Sequence, residues 1–190
     1  MAASPDSAPT ASPSTADRLL DAFSALLIEG GEKAATLDAV AARAGVSKGG
    51  LLYHYGSKDA LAHGLVERLA RFVDADIEAM TSAPEGPVAF FIRTSTDVGT
   101  DFDVAINATI ALAHGGSSAA VAAIAHARTR WHEALLPETR DSDVAWALLF
   151  MSDGLYLASA NPQAYPDIDR GPTAEFAERM VAVARRLTAG

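Results

Sequence analysis

Few residues of this chain are spaced for covalent chemistry. It has no cysteine, so it has no thiolate nucleophile, no cysteine metal site and no disulfide. His126 and His132 stand six apart, on different faces of a helix, and make a poor metal pair. Asp97, Asp101 and Asp103 cluster around Gly99, a spacing suited to capping helix N-termini rather than holding a cation. No serine sits in a Gly-x-Ser-x-Gly elbow, and no glycine loop that would cradle phosphate follows a strand. The chain is therefore expected to be no enzyme, with no catalytic residue, metal or cofactor. What remains is a stretch that could grip a polyanion. Between Thr36 and Lys58 lie Ser47, Lys48, Tyr53 and His54, with the glycine pair Gly49 and Gly50 among them. The net charge of −9 opposes this as a sum, but the distribution matters more than the sum. From Lys33 to Arg71 six basic residues stand against three acidic ones, a local +3, and the rest of the chain carries −12. Phosphate affinity needs a local positive field, not a basic whole.

Helices must position these groups. Alanine is abundant, while β-branched and aromatic residues are sparse, which favours helix because Ala loses no side-chain entropy there. The expected fold class is all-α, and no strand pattern of any length is visible. Met1 to Ala16 is rich in Ala, Ser, Pro and Thr and reads as a disordered tail (residues 1–16) rather than a secretory signal. Apolar spacing of Leu19, Leu20, Phe23, Leu26 and Leu27 predicts a first helix over 17–29, stopped by Gly30-Gly31. Thr36 caps a second helix over 37–44, and Gly45 ends it. Ser47 caps a third to about Tyr55, and Ser57 caps a fourth over 58–80. After a linker at 81–87, helices are expected at 88–98, 101–114, 117–136, 141–160 and 173–188, with Pro137 among the breaks.

The segment Thr36 to Tyr55, TLDAVAARAGVSKGGLLYHY, is two short amphipathic helices around a tight turn at Gly45. That is the pattern of a helix-turn-helix, whose second helix enters the major groove of DNA. Val40, Ala41, Val46, Leu51 and Tyr55 can face inward. Lys48, Gly49, Leu52 and Tyr53 are left outside, with Ser47, Gly50 and His54 at the border. Two short helices joined by a glycine turn also occur in many all-α proteins that bind no DNA.

The run AARAGVSKGGLLYHYGSKDAL, Ala41 to Leu61, closely resembles the recognition segment of the tetracycline-repressor (TetR) family of bacterial regulators. Its members read X-X-A-G-V-S-X-G-X-L, followed by aromatic residues and a Ser-Lys pair that opens the next helix. The resemblance is strong from about Ala16 to Ala70 and weak beyond. It implies an N-terminal three-helix DNA-binding domain over 17–60, then a larger helical ligand-binding and dimerisation domain over 61–190. It also implies that Lys48, Gly49 and Gly50 approach base edges, and that Thr36, Ser47, His54 and Lys58 contact phosphate. A lysine can donate to guanine O6 and N7, while paired glycines let the backbone come close without reading anything by side chain. The chain departs from the family at Leu52, where many members carry Tyr; here Tyr53 follows one residue later. Two roles stay open for Tyr53, a phosphate contact of its own or packing on the neighbouring helix.

The resemblance further implies a homodimer through the helices at 141–160 and 173–188, acting on a palindromic operator, and a small-molecule effector that releases it. The first of these helices is apolar nearly all round, so it needs burial on several sides; an ordinary monomeric core would also provide that. Candidate pocket residues are Phe90, Phe91, Phe102, Ile106, Ile110, His114, Trp131, Met151 and Tyr156. Each also reads as plain core. Polar Asn107 and Thr109 need partners if they face inward. The implied mechanism is a population shift, in which the effector favours a state whose two recognition helices are wrongly spaced, with the helix from Lys58 transmitting the change. No charge-free apolar run is long enough for a membrane span, and a cytoplasmic location is expected. The rival to a regulator is a helical partner-binding protein whose contact with DNA has been lost.

Overall fold

The computed structural model describes residues 13–165 and 174–188. Among them are nine α-helices and no strand: α1 Thr15–Ala34, α2 Leu37–Ala44, α3 Lys48–His54, α4 Lys58–Ser82, α5 Pro87–Thr94, α6 Asp101–His114, α7 Ser118–Thr139, α8 Ser142–Ala160 and α9 Ala174–Thr188. The all-α reading holds. The tail expected over 1–16 lies outside the described residues as far as residue 12, and α1 already begins at Thr15. Its N-cap Ser14 accepts the Asp17 N–H at 3.1 Å, which satisfies one of the orphan donors of the first turn.

Three boundaries differ from the sequence reading, each for a local reason. Gly31 does interrupt α1, at φ 66 and ψ −167, a conformation all but confined to glycine. One further turn then carries the chain to Ala34. Helix α5 ends at Thr94 rather than 98. The hydroxyls of Thr94, Ser95 and Thr96 donate back to the carbonyls of Phe90, Phe91 and Arg93, and such bonds compete with the backbone ladder. Pro137 does not break α7. The helix runs through it to Thr139, because a proline forfeits one N–H bond while buried Leu135 and Thr139 hold the last turn against the body. Thr173, the expected start of α9, lies outside the described residues.

Two apolar cores result. One gathers Leu19, Leu20, Phe23 and Leu27 of α1 with Val40, Leu51, Leu61 and Leu65, and it also takes in Ala105, Ala108 and Leu112 of α6. The other gathers the lower half of α4 with α5, α7, α8 and α9, including Met80, Ile92, Trp131, Leu135 and Leu148. Each fully buried Leu contributes about 1.5–3 kcal/mol. The division of the cores does not follow a chain boundary at residue 60. Helix α6 packs directly on α1, so the N-terminal head and the body share buried surface.

Candidate nucleic-acid interface

The α2–α3 unit is built by its caps. Gly45 takes the left-handed conformation at φ 68, and the N–H groups of Gly45 and Val46 close on the carbonyls of Ala42 and Ala41 at 3.2 and 3.0 Å. This paired closure satisfies the last carbonyls of α2 and turns the chain sharply. Thr36 Oγ1 accepts the Ala39 N–H at 3.2 Å, Ser47 Oγ the Gly50 N–H at 3.1 Å, and Ser57 Oγ the Ala60 N–H at 3.1 Å. Fully buried Val40 and Leu51 fix the two helices to α1. Tyr55 lies half-buried against α4, where a Cβ at Gly64 would come within 2.8 Å of its ring. Burial raises the Tyr55 phenol above its ordinary value, so it is uncharged at neutral pH.

What α3 turns outward is Lys48, Gly49, Leu52, Tyr53 and His54, all exposed. Tyr53 is 85% exposed and meets the His54 ring edge-on. It does not pack on the neighbouring helix, which leaves its phenol directed at solvent. Leu52 is 42% exposed. A side chain at Gly49 would meet nothing nearer than Ser47 Oγ at 3.9 Å, whereas one at Gly50 would press on that same oxygen at 3.3 Å. Gly49 therefore leaves the helix surface bare, and Gly50 protects the cap.

The cations of this face are partly engaged. Lys48 Nζ pairs with Asp38 at 3.0 Å, and both groups are exposed, so the pair is weak and easily exchanged for another anion. Lys58 Nζ donates to the Glu32 carbonyl oxygen at 2.5 Å, which ties α4 to the end of α1. Arg43 is paired with Glu29, and Arg68 with Asp17 and Asp21. The acids of α1 thus fold back onto the basic stretch, and residues 15–65 hold five basic against six acidic side chains. The local +3 read along the chain is smaller in space.

Residues 19–65 match the family model of the bacterial regulatory proteins, tetR family. The N-terminal segment is a tetR-family domain. Proteins of this family are DNA-binding transcriptional regulators. Solved structures extend the likeness of fold beyond the tetR-family domain to nearly the whole chain. A TetR-family member from Streptomyces coelicolor A3 is 22% identical at a TM-score of 0.62, covering 90% of this chain and 98% of that one. CprB, a TetR-family protein from S. coelicolor A3(2), is 20% identical at 0.58, covering 92% and 96%. The multidrug binding protein EbrR, complexed with malachite green, is 21% identical at 0.64, covering 90% and 98%. No curated protein matches the sequence.

Behind the tetR-family domain, the nine residues read as pocket candidates separate. Phe91 and Trp131 are buried in the body core; Phe90, Phe102, Ile106 and Met151 pack against it half-buried. Ile110 is half-buried. His114 is exposed in the last turn of α6 and does not point into that core; α6 ends there, and the ring is carried out to solvent. Tyr156 donates to the Asp103 carboxylate, and Asn107 Nδ2 donates to Tyr156 Oη at 2.5 Å and to the Asp103 carbonyl at 2.9 Å. Asp103 also accepts the Gly99 N–H at 2.8 Å, while the N-cap of α6 is Thr100, whose Oγ1 accepts the Asp103 N–H at 3.0 Å, rather than one of the three acids. Thr109 donates to the Ala105 carbonyl. A cleft of about 210 Å³ opens elsewhere, between α4 and α7, lined by Val66, Leu69, Val73, Ala127 and the ion pair Asp74–Arg130 among others. None of the nine lines it.

One residue escaped the sequence reading. Asp76 lies on the inward stripe of α4 with Phe72, Val73, Ile77 and Met80, and Trp131 Nε1 donates to its Oδ2 at 2.8 Å. Burial raises its carboxyl above the ordinary aspartate value, against the Trp131 hydrogen bond. An acid interrupting an apolar stripe of period 3.6 was the available signal. Among the described residues, no group of three His, Asp or Glu side chains converges as metal ligands would, and no helix is long and apolar enough to cross a membrane.

Proposed function

We propose that this chain is a homodimeric transcriptional regulator that binds a palindromic operator through α3 and leaves it when a small molecule occupies the body. The observation that carries the reading is the outward face of α3. Lys48, Gly49, Leu52 and Tyr53 stand exposed on a helix that caps, turn and core hold rigidly away from the body. Lys48 trades Asp38 for a base edge or phosphate, Gly49 admits the backbone to the groove, and Thr36, Ser47, Tyr53 and His54 reach phosphates at the rim. Lys58 acts there through the first turn of α4, since its ammonium is already bound within the protein.

A single head of this size binds weakly, and pairing two heads multiplies affinity. The surface of α8 supports a dimer. Ala147, Phe150, Gly154 and Leu157 fall at helical spacing on its exposed side, with Phe150 64% and Leu157 50% exposed. A Cβ at Gly154 would meet nothing, so a partner helix can approach closely there. Release by an effector is supported by analogy of fold: solved structures of EbrR contain imidazole, malachite green and ethidium. Helix α6, packed on α1, and α4 would together carry a shift in the body to the heads. The reaction is binding alone, with no catalysis and no cofactor, in the cytoplasm.

Selection of random duplex DNA on the purified protein at moderate salt tests this. An enriched palindrome is the expected result. A folded protein that enriches no sequence would overturn the reading and favour a partner-binding role for the same surface.

A further inference from the structure

The residues that α3 turns outward divide by chemistry. Lys48, Tyr53 and His54 carry groups that hydrogen-bond, and Gly49 carries no side chain. Leu52 alone among them is purely apolar. It is 42% exposed, while its neighbour Leu51 is fully buried. One exposed leucine is ordinary on a protein surface. This one stands on a face that buried Val40 and Leu51 hold outward, and its surroundings give it a shape to fit.

Side chains of a helix lean back over the preceding turn, so Leu52 covers the turn that holds Lys48 and Gly49. That turn is open at Gly49. A Cβ there would meet nothing nearer than Ser47 Oγ at 3.9 Å, so the Leu52 side chain does not close over it. The result is a shallow notch of methyl size, floored by the Gly49 backbone and walled by Leu52. Lys48, at i−4 from Leu52, shares this side of the helix, and its ammonium is engaged only with exposed Asp38 at 3.0 Å. The base edges of the major groove present nitrogens and oxygens, and their one apolar group is the C5-methyl of thymine.

We infer that Leu52 and the Gly49 notch read a thymine by packing on its C5-methyl, and so fix one position of the operator half-site. This role rests on the operator-binding reading above. Lys48 and Leu52 are about 6 Å apart along the helix axis, and base pairs are stacked about 3.4 Å apart. The thymine therefore falls within about two base pairs of the group that Lys48 meets. Uracil in place of thymine removes the methyl and keeps every hydrogen-bonding group, which isolates the contact.

Duplex selection on the full-length protein supplies the operator. Filter binding then compares duplexes in which one thymine per half-site, on either strand, is replaced by deoxyuridine. The expected result is a thymine at a fixed position whose replacement weakens binding about threefold for one half-site and about tenfold for both. Leu52→Ala is expected to bind the thymine and uracil duplexes equally, with the parent's melting temperature, because the side chain it trims is exposed. Leu52→Met, which keeps an apolar side chain, is expected to retain the preference for thymine. An operator with no fixed thymine overturns the role of Leu52 and leaves operator binding standing. So does equal binding of the parent to every uracil duplex, or a Leu52→Ala protein that still tells the two bases apart. A folded parent that enriches no sequence overturns both readings.

Discussion

Lys48, proposed above to read DNA, is held only loosely before any target arrives. Its exposed pair with Asp38 is worth no more than about 1 kcal/mol, so exchange for phosphate or guanine costs little. Lys48→Ala is expected to weaken operator binding and to lower the slope of log affinity against log salt by about one for each head. Asp38→Asn is expected to tighten binding, because the ammonium is released and a repelling charge removed; filter binding across a salt series checks both. At Gly49 stability and function are expected to move in opposite directions. A methyl there meets open space, so Gly49→Ala should stabilise the fold by about 0.5–1 kcal/mol and weaken operator binding by filling the groove-facing surface. Equal or tighter binding by the variant would remove Gly49 from the interface. Asp76 predicts a pH dependence of stability. Its carboxyl is raised in the folded protein, so above the ordinary value of 3.8 the unfolded chain holds fewer protons than the folded one, and stability falls as pH rises through that window. Asp76→Asn should therefore be more stable than the parent at pH 7, with the difference gone below pH 3.8. Denaturant melts at both pH values measure it.

At the scale of elements, the head depends on one close approach. Tyr55 lies across α4 at Gly64, where a Cβ would fall 2.8 Å from the ring and 3.2 Å from Leu20 Cδ2. Gly64→Ala is expected to push α3 off α4, lowering the melting temperature by several degrees and weakening DNA binding. Combining it with Tyr55→Leu should restore part of the stability, since the flexible side chain can yield where the ring cannot. A variant as stable as the parent would mean that the ring relocates at no cost. Helix boundaries follow the same local logic. The hydroxyl run Thr94-Ser95-Thr96 ends α5 by bonding back to its carbonyls, and Pro137 fails to end α7 because buried neighbours on both sides hold the turn.

For the whole molecule, the sharing of a core between α1 and α6 means that head and body respond together. Ala105, Ala108 and Leu112 lie among the head's own leucines, so rotation of α6 cannot leave α1 in place. The proposed dimer would rest on the outward face of α8. Phe150→Glu puts a charge at the centre of the exposed apolar side and is expected to give a monomer in sedimentation, folded as the parent is, with operator affinity reduced at least a hundredfold by loss of the paired heads. Persistence of a dimer would move the interface to another surface.

The sequence by itself determined the helical class, the caps of α2, α3 and α4, the turn at Gly45 and the inward and outward faces of α3. These are consequences of local chemistry: cap hydroxyls three residues ahead of the N–H they accept, glycine at positive φ, and apolar residues recurring every turn. Tertiary structure alone decided the rest. It brought the acids of α1 against the basic stretch, so that the charge of the head differs from the charge read along the chain. It tied Lys58 to a carbonyl from 26 residues away and carried His114 out of the body. It set Asp76 beside an indole 55 residues distant, a pairing no periodicity encodes. Local patterns specify which face a helix buries, but the partner met by that face depends on how all the buried faces are filled at once.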